Sequence, residues 1–255
     1  MSSLVDDLGE PVPLAGPPER VVSLVPSLTE AVEVSAPGRL VGATDYCTHP
    51  SDLDVVRVGG SKYPKIDRVL NLAPDLVLAN SEENRPEDVQ RLRANGIPVF
   101  VMAAAASVPA ALGSLRRLLT QVYDLAEPTW LVEAEELWRQ VAPVRFRAVV
   151  PVWRKPWIVL GRDTFAGDVL RRVGIVNVYE SADERYPRPP LSELVATDAD
   201  LVVLPDEPYE FTVDDGPGFF PEFRPLLVSG RHLTWYGPSL VDAHSALVGA
   251  VAELR

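Results

Sequence analysis

Short apolar runs bounded by turn-forming residues alternate with stretches of helical period along this chain. Arg20-Val-Val-Ser-Leu-Val-Pro26 and Arg147-Ala-Val-Val-Pro-Val-Trp153 are β-branched, nearly continuous apolar runs, the pattern of strands covered on both faces of a parallel sheet. Ile66, Val69 and Leu70, like Leu191, Leu194 and Val195, recur at i, i+3 and i+4, and each trio predicts a short helix. Each helix feeds a second apolar run, Ala73-Pro-Asp-Leu-Val-Leu-Ala-Asn-Ser-Glu82 and Asp198-Ala-Asp-Leu-Val-Val-Leu-Pro-Asp-Glu207. The two runs echo one another at a constant offset, with Asp75 falling on Asp200 and Glu82 on Glu207. A unit of strand, helix, strand, helix, strand, written twice, predicts an α/β protein of two Rossmann-like lobes with parallel sheets.

Between the two units, residues 127–142 read as one helix with Pro128 near its start and Pro143 closing it. Trp130, Ala134, Leu137, Trp138 and Val141 give it an apolar stripe. The predicted organisation is an N-terminal lobe over residues 1–122, a linking helix over 123–143 and a C-terminal lobe over 144–255, with a cleft between the lobes. Ligands of open parallel sheets bind beyond the carboxyl ends of the strands. Both echoed acidic segments, at Ser81-Glu-Glu-Asn-Arg85 and Pro205-Asp-Glu-Pro-Tyr-Glu210, lie past such ends. Pro86 marks a helix start, so Glu87 and Asp88 are equally explained as first-turn charges. Ser27-Leu-Thr-Glu30 fits a capping box and predicts a second helix start directly after a buried strand.

The 255 residues are 47% hydrophobic, enough for two cores. A formal net charge of −12 repels phosphate backbones and argues against nucleic acid. Cys47 is the only cysteine, which excludes an internal disulfide and a cysteine-rich metal site. The first ten residues are acidic and carry no basic segment before a long apolar stretch, and no later apolar run approaches about 18 residues. As written, the chain is expected in the cytoplasm without membrane insertion; a start further upstream would make it extracytoplasmic. Neither a nucleophile elbow, nor a phosphate-cradling Gly-x-x-x-x-Gly-Lys, nor a dinucleotide fingerprint occurs.

Several segments, in order, resemble the helix-linked (class III) substrate-binding proteins of ABC importers, in the branch that binds cobalamin and iron-siderophores. They are Arg20-Val-Val-Ser-Leu-Val-Pro-Ser-Leu-Thr-Glu30, Leu40-Val-Gly-Ala-Thr-Asp-Tyr-Cys-Thr-His-Pro50, Val58-Gly-Gly-Ser61, Leu72-Ala-Pro-Asp-Leu-Val77 and Thr234-Trp-Tyr-Gly237. The resemblance covers most of residues 20 to 250. It implies non-covalent binding of a metal chelate, such as a corrinoid, a haem-like tetrapyrrole or a ferric siderophore, with no catalysis and no covalent cofactor. Tyr46, Ser61, Glu82, Glu83, Arg85, Trp153, Phe165, Tyr186, Glu207, Trp235 and Tyr236 are the expected lining. Asp67 and Glu193 stand where the family docks an ABC permease. Aromatic faces suit a wide, flat ligand because they bury large areas at little entropic cost.

Ser61 occupies the place where cobalamin-binding members commonly carry tryptophan. His49, beside Tyr46, is the candidate metal ligand, axial to a chelated metal or joined by Glu82, Glu83, Asp206 and Glu207 around a bare one. His244 reads as packed within a helix. Two other functions use the same residues: a cytoplasmic enzyme that inserts, removes or reduces the metal of a chelate, with Glu82 or Glu83 and His49 moving protons, and an interaction module without ligand.

Overall fold

The computed structural model describes residues 4–254. The first repeat folds as β1 (Val21–Ser23), α1 (Pro26–Ser35), β2 (Leu40–Ala43), β3 (Val56–Arg57), α2 (Ile66–Asn71), β4 (Leu76–Asn80), α3 (Pro86–Ala94) and β5 (Val99–Met102). Then come α4 (Val108–Arg117), a π-helical turn over Leu118–Val122, and α5 (Thr129–Leu137). The second repeat gives β6 (Phe146–Val149), β7 (Pro151–Trp153), β8 (Ile158–Val159), α6 (Phe165–Arg172), β9 (Ile175–Asn177), α7 (Leu191–Leu194), β10 (Leu201–Pro205), β11 (Arg224–Val228), α8 (Gly230–Thr234) and α9 (Ser239–Glu253). Contacts divide the chain into two compact units. One runs to Ala104 and takes in Leu112–Val132 and Tyr236–Pro238; the other comprises Ala105–Ala111, Glu133–Trp235 and the chain from Ser239 onward.

The first unit holds a parallel sheet in the order β3-β2-β1-β4-β5, the second a parallel sheet in the order β11-β10-β6-β9. Two-sided burial accounts for the unbroken apolar runs: every residue of β1, β4, β5 and β10 is buried. Val22, Val77, Ala79, Val99 and Val101 pack with Ile66, Val69, Val89 and Leu92 in the first core. Val149, Val202 and Leu204 pack with Phe211, Phe220 and Phe223 in the second. Strand order reverses between β1 and β4 in one sheet and between β6 and β10 in the other.

The echoed aspartates explain themselves at these reversals. The Asp75 carboxylate accepts the N–H groups of Glu19 (2.8 Å) and Arg20 (3.0 Å), and the Asp75 N–H donates to the Arg20 carbonyl (2.9 Å). The Asp200 carboxylate accepts the Arg147 N–H (2.8 Å), and its own N–H donates to the Arg147 carbonyl (2.8 Å). Each aspartate ties the start of one strand to the start of its parallel neighbour, fixing β4 on β1 and β10 on β6 before the ladder begins.

Three local expectations are corrected. The helix at Ser27 starts one residue earlier, with Pro26 at its first position and Val25 as N-cap, so no capping box forms and Ser27 and Glu30 are buried inside α1. Proline's fixed φ suits that first position. The run over 147–153 is two strands. Pro151 has no N–H to give a central ladder, and β7 turns away into an antiparallel pair with β8. The linking helix is shorter than 127–142. Beyond Leu137 the Arg172 guanidinium bonds the Trp138 carbonyl, Arg171 bonds the Ala142 carbonyl (3.0 Å) and the Ala142 N–H donates to the Arg172 carbonyl (2.9 Å), replacing helical bonds. Its buried stripe is Leu131, Ala134 and Trp138; Trp130 and Leu137 are half-buried and Val141 is exposed.

The acidic lead is folded. Val5 bridges Pro11 antiparallel, and the Asp7 N–H donates to the Val101 carbonyl (3.1 Å), so this hairpin is hydrogen-bonded to β5. Asp6, 1% exposed, accepts the N–H groups of Leu8 (2.9 Å), Glu10 (2.9 Å) and Val101 (3.3 Å) and pairs with Arg93 (2.7 Å). Asp7 pairs with Arg117. Asp6→Ala leaves Arg93 without its ion-pair partner and three amides without their acceptor, and chemical denaturation is expected to show a loss of about 3 kcal/mol of stability.

Candidate ligand-binding site

At the carboxyl edge of the first sheet, β4 ends in Asn80, and two buried asparagines organise the loop beyond it. Asn80 and Asn84 are 2% and 3% exposed. The Asn84 side-chain carbonyl accepts the Asn80 N–H (2.8 Å), and its amide donates to the carbonyls of Leu24 (3.3 Å) and Ser61 (2.9 Å). The Asn80 side-chain carbonyl accepts the Glu82 N–H (2.7 Å), and its amide donates to the Tyr236 hydroxyl (2.8 Å). Loops after β1, β3 and β4 and the Tyr236 turn are thereby bound to one another at the strand reversal.

On this support sit the acidic residues. Glu82 and Glu83 are both half-buried. The Glu83 carboxyl makes no hydrogen bond or ion pair with any described residue. Burial, and then the charge of Glu82, push its pKa up to about 8, with Lys62 pulling the other way. Lys62 itself reaches the Glu82 carbonyl at 3.4 Å. Tyr46 is 65% exposed, and its ring lies so close to Gly60 that a Cβ there would come within 3.4 Å of it. Tyr63, 70% exposed, carries the Arg85 guanidinium over its ring at 4.7 Å. Arg85 also pairs with Asp88 (2.8 Å) and Glu87 (3.4 Å) at the start of α3, so its charge is largely spent locally. Ser61 is buried, its hydroxyl 3.5 Å from that of Thr44. Cys47 is enclosed between Thr29 (2.9 Å) and Thr44 (3.1 Å), and burial raises its thiol pKa. His49 is half-buried, Nδ1 at 3.1 Å from the Thr48 hydroxyl. Among the described residues no three His, Cys, Asp or Glu side chains form a group that could hold a metal ion, so the bare-ion set around His49 is not assembled.

The second sheet's carboxyl edge is built differently. Glu207 accepts the Trp235 indole N–H (3.1 Å), and Asp206 accepts the Gly230 N–H (2.5 Å). Gly230 is required there, because a Cβ would collide with the Cβ and backbone of Glu207. Trp153 ends β7 at 41% exposure, edge-on to Tyr209 with ring centroids 5.6 Å apart. Arg154 behind it pairs with Asp215 (3.0 Å), donates to the Tyr209 hydroxyl (3.2 Å) and lies over Phe219 (4.8 Å).

Three expected lining residues, Phe165, Trp235 and Tyr236, are buried. Phe165 is 7% exposed in the first turn of α6. Trp235 and Tyr236 are 5% and 6% exposed, holding Glu207 and Asn80 rather than offering their faces. Tyr186 is half-buried in the loop before α7. Of the docking acids, Asp67 pairs with Arg91 (2.5 Å) and Glu193 accepts the Tyr179 hydroxyl (3.0 Å); both are exposed. His244 packs edge-on against Trp138 at 5.1 Å, as its helical setting implied. Asn80, Asn84, Tyr63, Tyr209 and Arg154 were missed by sequence reasoning. A polar residue ending an otherwise apolar strand was the available sign for Asn80.

Residues 21–142 match the family described as periplasmic binding protein. The vitamin B12-binding proteins of Vibrio cholerae and Yersinia pestis are 24% and 29% identical to the chain, each alignment covering 73% of it and 70% and 69% of the relative. Among solved structures, a periplasmic haem-binding protein of Pseudomonas aeruginosa superposes with a TM-score of 0.76 at 26% identity, covering 91% of this chain and 92% of that one. The periplasmic vitamin B12-binding protein of V. cholerae superposes with a TM-score of 0.74 at 19% identity over 93% of this chain and 98% of its own.

Because the folded Glu83 carboxyl holds its proton to about pH 8 while an unfolded one releases it near its ordinary value of 4.5, the folded state binds the extra proton between these limits. Its contribution to stability is complete below the lower limit and is lost as pH rises through the upper one. Glu83→Gln should remove this loss, raising the midpoint of thermal unfolding at pH 8 by a few degrees and flattening its decline between pH 5 and 8.

Proposed function

The chain is a protein of the periplasmic-binding-protein fold, and from that premise we propose that it holds a metal chelate, corrinoid, haem-like or ferric siderophore, non-covalently at the carboxyl edge of its first sheet. One observation carries the placement. Tyr46 is exposed to 65% with its ring against the side-chain-free Gly60, Gly60 precedes the Ser61 carbonyl held by Asn84, and the Glu83 carboxyl is near enough for its charge to act on the adjoining Cys47. An aromatic face on a bare stretch of backbone gives a flat ligand room to lie down, and a fixed polar group beside it sets orientation. The network is satisfied without ligand, so little ordering has to accompany binding. Trp153, edge-on to Tyr209, offers a second exposed aromatic in the second unit.

Binding alone accounts for these residues, and the relatives and structural neighbours described above are binding proteins. An ABC permease is the proposed partner, meeting the protein at Asp67 and Glu193. Both carboxylates are exposed but engaged, so docking would exchange the Arg91 and Tyr179 contacts for arginines of the partner.

Quenching of the tryptophan fluorescence and shifts of the ligand's visible band, followed while adding cobalamin, haem or ferric siderophores, should show saturable binding of at least one chelate without product. Tyr46→Ala should weaken it about tenfold, the loss of one aromatic contact. Unchanged affinity in that variant would remove the ligand from this edge.

A further inference from the structure

Within the site proposed above, and resting on that reading, we propose that Glu83 acts as a proton-linked selector: as a neutral acid it donates a hydrogen bond to a carboxylate on the chelate rim, and as a carboxylate it repels that group. The geometry leads there directly. Of the two carboxyl groups after β4, Glu83 alone makes no hydrogen bond or ion pair among the described residues. The backbone that carries it is immobilised on both sides, by the Glu82 N–H on Asn80 and by Asn84 on Leu24 and Ser61. The carboxyl is half-buried and close enough to the loop after β2 for its charge to act on the Cys47 thiol, next to Tyr46 in sequence.

The charged and titratable groups coupled to it lie on three loops. Glu82, its neighbour, disfavours ionisation, Lys62 from the loop after β3 favours it, and the Cys47 thiol after β2 is buried and neutral near pH 7. Burial is the largest of these influences and also favours the neutral acid. Near neutral pH the loop therefore offers an O–H donor where composition alone would place a negative charge.

This selects by rim chemistry. Haem carries carboxylates, which need a donor and are repelled by an ionised partner. The corrin rim carries carboxamides, which donate as readily as they accept and can face Glu83 in either state. Affinity for haem should fall with pH, while affinity for cobalamin should stay level.

The test is titration of the full chain with haem and with cyanocobalamin from pH 6 to 9, for the unaltered protein, Glu83→Gln and Glu82→Gln. Haem binding to the unaltered protein should weaken about tenfold between pH 7.5 and 9, following the fraction of Glu83 still protonated. In Glu83→Gln that slope should vanish with the same ligand chemistry in the cuvette, so a slope surviving there belongs to haem and overturns the proposal. In Glu82→Gln the slope should persist with its midpoint at lower pH, a displacement that a merely structural role would not produce. A carboxyl NMR titration of the ligand-free protein stands independently of ligand: a Glu83 resonance titrating in the ordinary carboxylate range overturns the proposal. Binding that is level with pH for haem overturns the selector but leaves the site, whereas failure of every chelate to bind removes the site and the selector with it.

Discussion

The polar atoms of two buried amide side chains, Asn80 and Asn84, need partners, and that requirement shapes the edge of the first sheet. A buried polar group left unpaired costs roughly 1–3 kcal/mol. The pairing adopted spans the loops after three strands and the turn at Tyr236. No single loop could satisfy both residues. The loops are consequently fixed relative to one another without a ligand, and functional side chains mounted on them have defined positions. Glu83 is carried by one of these loops, and Gly60, against which the Tyr46 ring lies, by another.

The internal repeat carries two kinds of residue with different fates. Asp75 and Asp200 have one purpose in both units, pinning parallel strands at the reversal of strand order, and the backbone geometry around them is nearly the same. Glu82 and Glu207 sit past the ends of equivalent strands, yet their surroundings differ. Glu207 is held by the Trp235 indole and closed over by Gly230. Its counterpart lies beside an acid with no partner, and Lys62 only touches the backbone there. The repeated strand is thus structural in both halves, and the repeated acid has diverged.

Apolar period and repeat made the architecture legible: both parallel sheets, the helices preceding β4 and β10, and the start of α3 at Pro86 follow from residue type and spacing. Proline set the limits of that reading in two places, moving the start of α1 ahead of Ser27 and diverting β7 from the sheet. At the site, the expectation that Trp235, Tyr236 and Phe165 present their rings failed because an aromatic in a turn or a first helical turn can point inward as easily as outward. A polar atom on the ring decided two of these cases, the Trp235 N–H serving Glu207 and the Tyr236 hydroxyl serving Asn80. Asn80 and Asn84 stayed hidden because an asparagine after a strand looks like any turn residue until its partners, many residues distant, are known. Tyr63 and Arg154 were overlooked for the same reason, each being defined by a contact with a remote residue.

The proposed chelate site lies at the carboxyl edge of the first sheet. Hydrogen–deuterium exchange with and without saturating haem or cobalamin addresses this most directly. Added protection in peptides covering residues 44–50, 58–64 and 80–86, with the N-terminal hairpin over residues 4–13 unchanged, is the predicted result. Protection that spares these three loops and falls elsewhere would contradict it.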